Sequence, residues 1–225
     1  MKRSQINRTI EKMKAICQEH RFLLPPWAFW APGDWKGRAE DCREIIENAL
    51  GWDVTDFGSG RFEERGLALF TLRNGNAKTG HSKTYAEKIM MVGEDQETPL
   101  HFHWQKTEDI IVRGGGNLVF ELRNSVSDTD FNNDPVTVYV DGVRRTVEAG
   151  AKLVLRPGES IYMDQRLFHR FYAEAGNGTA LVGEVSRVND DETDNNFYGG
   201  APRYPDIKED EPPVHLLCNE YAAYV

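Results

Sequence analysis

The stretch from Gly93 to Gly116, G-E-D-Q-E-T-P-L-H-F-H-W-Q-K-T-E-D-I-I-V-R-G-G-G, constrains the fold more than any other part of the chain. His101 and His103 have one residue between them, so on a β-strand both imidazoles leave the same face, about 7 Å apart along the backbone and close enough to share one ion. Glu108 follows at an odd spacing, so it joins them only if the chain turns or bulges between Trp104 and Thr107. The pattern therefore predicts a strand, a tight connection and a second strand. The second should stop at Gly114 to Gly116, a strong turn signal.

The histidines are His20, His81, His101, His103, His169 and His215. His169 is the best fourth ligand. Pro157-Gly158 makes a turn, Ser160 to Met163 a short strand, and His169 opens a β-prone run to Ala173. Three imidazoles and a carboxylate form a mixed site with open positions, suited to a catalytic rather than a structural metal. His20, His81 and His215 have no partner at ligand spacing and are expected in loops. Three further ionisable residues need a reason. Lys106 falls between the ligand groups, Lys88 lies on the strand leading into them, and Glu184 alternates with Val182 and Ser186 on A-L-V-G-E-V-S. Either lysine could stand on an exposed rim, whereas an acid facing a core is costly unless it is paired or functional.

Composition sets outer limits. With 225 residues, 40% hydrophobic and 11% aromatic, the chain can build one sizeable core. A formal charge of −9 argues against a nucleic-acid or acidic-membrane surface. Cys17, Cys42 and Cys218 are odd in number with no CxxC, pointing to reduced thiols in a cytoplasmic protein. No apolar run approaches the roughly 20 residues of a membrane span, and the N-terminus lacks a signal-peptide stretch.

Along the chain, Ser4 reads as the N-cap of an amphipathic helix carrying Ile6, Ile10, Met13 and Cys17 and ending near Glu19. L-L-P-P-W-A-F-W-A-P-G-D-W cannot be a regular element and reads as an aromatic arm over a core or subunit interface, with a sugar site as the alternative. A second helix is expected from Arg38 to Leu50 with Gly51 as its stop, then a loop from Asp56 to Gly60. From Leu67 short strands with Gly-rich turns persist to Arg187. Asp141-Gly142 forms a hairpin between Val136–Val140 and Val143–Val147. Beyond Arg187 the chain reads as irregular, with Lys208 to Glu211 a solvated loop. The expectation is a single, mainly β domain over 1–225: helices and arm at 1–60, a barrel at 67–187 and an irregular tail at 188–225.

The string G-x7-H-x-H-x4-E-x6-G ending at Gly115, with P-G-x10-H ending at His169, resembles the two motifs of the cupin superfamily. Seven residues stand between Gly93 and His101 where the usual form has five. A-E-K-I-M-M-V, P-L-H-F-H-W-Q-K-T-E-D-I-I-V-R-G-G-G-N-L and G-E-V-S-R-V-N-D-D-E-T-D-N-N-F are similar to the D-lyxose ketol-isomerase family. The resemblance implies a double-stranded β-helix (jelly-roll) barrel with an N-terminal helical layer. It implies one divalent metal, Mn2+, on His101, His103, Glu108 and His169, and isomerisation of D-lyxose to D-xylulose and of D-mannose to D-fructose, while exposed strand edges and the aromatic arm suggest a homodimer. It moves Glu184, Lys106 and Lys88 to the site, Glu184 as base and a lysine as stabiliser of the oxyanion, and makes Trp104, Gln105, Phe168, Asp190 and Asp194 candidates for contact with a small neutral sugar. The ligands alone also permit an oxygenase or a non-catalytic sugar-binding barrel, and an isomerase could use an enediol or a hydride shift.

Overall fold

The computed structural model describes residues 1–76, 78–79 and 83–225, so His81 lies outside the described residues. Helix α1 (Arg3–Glu19) and a short helix α2 (Arg43–Glu47) come first, with single 3-10 turns at Pro26–Phe29 and Pro32–Trp35 between them. Then follow β1 (Gly51–Thr55), β2 (Leu67–Arg73), β3 (Tyr85–Val92), β4 (Thr98–His103), β5 (Glu108–Gly115) and β6 (Leu118–Asn124). The second half holds β7 (Val136–Val140), β8 (Val143–Val147), β9 (Lys152–Leu155), β10 (Ser160–Met163), β11 (Leu167–Ala173), β12 (Ala180–Arg187) and β13 (Asn195–Phe197).

Among the described residues the strands form two antiparallel sheets, ordered β1-β2-β3-β12-β5-β10-β7-β8 and β13-β4-β11-β6-β9. Their inner faces share one core. Leu67, Leu69, Met90, Val92, Ile110, Val112 and Val182 of the larger sheet meet Leu118, Phe120, Leu122 and Phe171 of the smaller. Strand parity sends the alternate residues Ala68, Phe70, Ile89, Met91 and Leu181 outward, where α1 covers them with Ile6, Ile10, Met13 and Cys17. Strands buried on both faces explain the near-continuous apolar runs of β2 and β3. The same parity places Lys88, two residues before Met90, and Glu184, two after Val182, on the inner face.

The Asp141-Gly142 hairpin is as expected, with φ of 51° and 77° at its two central residues. The tryptophan arm is core cover: Trp35 packs on Tyr221 with Cys42, Leu216 and Cys218, and Trp27 stacks on Phe70. Four expectations change. Lys2 holds the cap position of α1, and Ser4 stands in its first turn. There its backbone N–H and hydroxyl donate to Asp210 at 2.9 and 2.8 Å, so a carboxylate from the far end of the chain satisfies the helix terminus. The second helix shrinks to Arg43–Glu47, and Gly51 opens β1 instead of stopping it. Trp52 and Val54 are buried in register with Phe70 and Ala68, and that pairing overrides helix propensity. Lys208 to Glu211 is tied down: Arg3 pairs with Glu209, and Asn7 donates to Glu211 at 2.8 Å. The tail also supplies β13, which pairs with β4 at the edge of the smaller sheet.

Candidate active site

The ligand histidines sit on neighbouring strands of the smaller sheet, and His169 on β11 faces His101 on β4 in register. Residues 104–107 carry the chain from β4 across to the other sheet, so Glu108, the first residue of β5, approaches from the opposite wall. This crossing resolves the odd spacing between His103 and Glu108. Each histidine of His101, His103 and His169 offers a ring nitrogen within 4.8 Å of the others, and all three are buried. Glu108 Oε1 lies 3.5 Å from His103 Nε2 and 3.3 Å from His169 Nε2.

His101, His103 and Glu108 stand in the protonation states a cation requires. Burial, reinforced by the neighbouring imidazoles, holds His101 well below the usual range, and burial with Lys106 lowers His103. Both rings are neutral at pH 7. The Nδ1 atoms of His101 and His169 lie 2.8 Å and 2.9 Å from the carbonyls of Pro99 and Leu167, each two residues back along its own strand. Donation there commits the proton to Nδ1 and leaves Nε2 a free lone pair. His169 Nε2 is buried with no hydrogen-bond partner among the described residues, the orphaned atom a metal ligand should be. For Glu108 burial acts upward, but Lys106 Nζ at 2.8 Å outweighs it and keeps the carboxyl ionised. The donor set thus fits one divalent ion.

Behind the ligands lies a buried acid–base chain. Lys106 Nζ bridges Glu108 Oε2 at 2.8 Å and Glu184 Oε1 at 2.9 Å. Burial would lower the lysine, but the two carboxylates raise it above its ordinary value, so it is a fixed cation. Glu184 pairs in register with Lys88 on β3 and Ile110 on β5. Burial acts to raise its carboxyl, and Lys106 and Lys88 bring it below the usual range. Its contacts with Lys106, Lys88 and Ser186 all fall on Oε1. Neither lysine stands on an exposed rim: Lys88 is 4% and Lys106 3% exposed.

His101, His103, Glu108, Lys106, Lys88 and Glu184 therefore line one cavity. The structure does not bring Trp104, Gln105, Phe168 or Asp190 into it. Phe168 neighbours His169 on β11 and so points to the opposite face, against Phe102 and Tyr198. Trp104 packs on Phe102 under the Arg166 guanidinium. Gln105 is exposed, and its carbonyl accepts from Gln165 at 2.6 Å. Asp190 lines a larger outer cleft that meets the metal side at Asp191, shared by both, and at Asn189, whose Oδ1 accepts from Lys106 Nζ at 3.4 Å. Asp194 accepts the backbone N–H groups of Gln105 and Lys106 at 2.7 and 3.0 Å, which fixes the crossing that aims Lys106.

Asp191 and Asn195 fall in the stretch Asp190 to Asn196, whose carboxylates and amides suit a hydroxyl-rich substrate, whereas sequence reasoning missed Arg203 and Phe197; all four complete the cavity wall from the tail. Asp191 lies 3.9 Å from Lys88 Nζ, and Arg203 pairs with Asp191 and with Asp53. Arg203 Nη1 is buried without a partner among the described residues. Asp191 and Arg203 lie in loops, which have no period, and β13, which carries Asn195 and Phe197, is too short to show one, so only the density of Asp and Asn after β12 marked the stretch.

Two antiparallel sheets with inward histidines on one wall and a buried carboxylate–lysine pair on the other make a mainly β barrel of the cupin type around an ionisable pocket. The chain belongs to the D-lyxose isomerase family, whose profile matches residues 1–221, and it is a sugar isomerase. It is 49% identical over 226 residues to a D-lyxose/D-mannose isomerase of Escherichia coli O157:H7, with 100% of both chains covered. It is 45% identical over 227 residues to the enzyme of that name from Serratia proteamaculans, again over 100% of both. In fold it is similar to L-ribose isomerases. That of Cellulomonas parahominis has a TM-score of 0.57 at 18% identity, and that of Acinetobacter sp. DL28 has 0.61 at 14%, each covering 92% of this chain and 98% of the other. Family membership sets aside the oxygenase and non-catalytic readings.

Proposed function

We propose that the chain interconverts D-lyxose with D-xylulose and D-mannose with D-fructose, with one divalent cation, Mn2+, held by His101, His103, Glu108 and His169. The cation would supply Lewis acidity to two adjacent oxygens of the open-chain sugar. The observation that carries the reading is the buried Glu184–Lys106–Glu108 chain, because moving a proton between C1 and C2 needs a base beside the ligands and a cation to offset the developing oxyanion. Glu184 is ionised, and its Oε2 is left to take the C2 proton and return it to C1 by way of an enediol, while the O2 hydroxyl proton passes to O1. Lys106, charged and fixed by two carboxylates, balances the oxyanion, and Lys88 keeps Glu184 ionised. Asp191 and Arg203, on the cavity wall, offer partners for the sugar hydroxyls. The names of the E. coli and Serratia relatives support the substrate pair.

A homodimer is the expected assembly. Val185, Asp109, Tyr162 and Tyr139 form one exposed row across β12, β5, β10 and β7, three large side chains around a single carboxylate for a second copy to cover. The free, buried Cys17, Cys42 and Cys218 suit a reducing cytoplasm.

The test compares Glu184→Gln with His169→Ala for turnover of D-lyxose and for bound metal. Glu184→Gln should keep its metal and lose about 10²–10⁴ in kcat, the worth of a positioned general base. His169→Ala should lose both. A Glu184→Gln enzyme of undiminished kcat removes Glu184 from the role.

A further inference from the structure

We propose that Thr98 determines substrate specificity by hydrogen bonding the terminal hydroxyl of the sugar chain, O5 in an aldopentose. Thr98 stands three residues before His101, an odd spacing that on a regular strand would turn its side chain away from the ligands. The pairing of β4 with β11 shows why it does not. His169 pairs with His101 and Phe171 with Thr98, so β4 spends three residues where β11 spends two. That is a β-bulge at Pro99 and Leu100, and it returns Thr98 to the inner face. The same bulge presents the Pro99 carbonyl 2.8 Å from His101 Nδ1, so one irregularity both orients a ligand and re-aims a hydroxyl.

Thr98 lines the metal cavity and is 3% exposed, yet its Oγ1 has no hydrogen-bond partner among the described residues. A buried hydroxyl left unmade is costly, and nothing in packing requires it, since valine has the same shape. Its surroundings fix what it would bind. Its register partner Phe171 belongs to the barrel core, and Leu67, Leu69, Met90 and Ile110 line the same cavity. Thr98 is therefore a polar group set against the apolar side, one strand repeat of about 7 Å from His101. That repeat is comparable to the span of an open five-carbon sugar. With O1 and O2 at the His and Glu ligands, the far hydroxyl comes to the apolar side, where the unpartnered Thr98 Oγ1 is placed to pair it.

The inference rests on the aldose–ketose isomerase reading for the identity of the ligand. The experiment compares the parent enzyme with Thr98→Val and Thr98→Ser, using D-lyxose and 5-deoxy-D-lyxose. Discrimination is read as the ratio of kcat/KM values and, in parallel, as the ratio of Kd values from calorimetry. The parent should prefer D-lyxose. Thr98→Val should cut that preference about tenfold, the equivalent of one neutral hydrogen bond, through D-lyxose alone, and Thr98→Ser should restore it. Bound metal should be unchanged in all three, and ligand-free Thr98→Val should melt no lower than the parent. An unchanged ratio in Thr98→Val, or an equal loss on both sugars, overturns the assignment, as does a lower melting temperature with the ratio intact. If the parent turns over neither sugar but the Kd ratio behaves as stated, the reaction fails while the role of Thr98 stands.

Discussion

At the scale of single residues the site is an alternation of buried, oppositely charged neighbours: Glu108, Lys106, Glu184, Lys88, Asp191, Arg203 and Asp53. Removing one member strands its neighbour in a medium of low polarity, which costs more than the pair is worth. For Asp191, burial acts upward, but Arg203 first, then Lys88 and Lys106, hold its carboxyl well below the usual range. A carboxyl depressed in the folded state contributes stability that is fully present above the unfolded value near 3.9 and is lost as pH falls towards the folded value. Asp191→Asn should therefore cost about 3 kcal/mol near neutrality, with a gap to the parent that is flat from pH 8 to about 5 and narrows below about 4. Urea unfolding across that range measures it, and a gap that widens in acid contradicts the assignment. Lys106→Met should lose catalysis and stability together, because it leaves two buried carboxylates facing each other; the first shows in kcat and the second in the melting temperature.

At the scale of elements, parity was the legible part. The spacing of His101 and His103, the turn before Glu108, the β7–β8 hairpin and the inward face of Glu184 all follow from a period of two and from turn residues. Features that break the period were not legible. The bulge at Pro99 and Leu100 appears only once β11 supplies the register, and β1, whose first residue Gly51 reads as a helix stop, is not legible as a strand because its partner β2 lies a loop away in sequence. Gly115 tests how tightly β5 is held. It has a φ of 75°, and a Cβ there would stand 2.2 Å from the Thr179 carbonyl oxygen beside β12. Gly115→Ala combines left-handed strain with a backbone collision. It should cost about 3 kcal/mol or more, a fall of roughly 6–12 °C in Tm for a chain of this length, as calorimetry would show.

At the scale of the whole molecule, the two ends of the chain close the site together. Arg3, 2% exposed, binds Glu209 and Glu220, and Ser4 and Asn7 hold Asp210 and Glu211. The segment so anchored follows Arg203, which reaches the cavity wall. No local pattern announced this, because its partners are some 200 positions apart; only folding brings Asp191 and Arg203 to residues that the central motif had already marked. Arg3→Ala should destabilise by about 2 kcal/mol, less than a fully buried pair because Glu209 is half exposed, and should make the chain near 203–212 the first cut in limited proteolysis. The central claim is that the buried histidines and Glu108 serve, with a cation, to isomerise an aldose. The most direct measurement strips the protein with a chelator, restores Mn2+, and follows D-lyxose in D2O by NMR. Ketose should form only with the metal restored and should carry solvent deuterium at C1, as proton transfer through an enediol requires. An enzyme with metal shown to be bound that forms no ketose, or forms it equally well when stripped, would contradict the account.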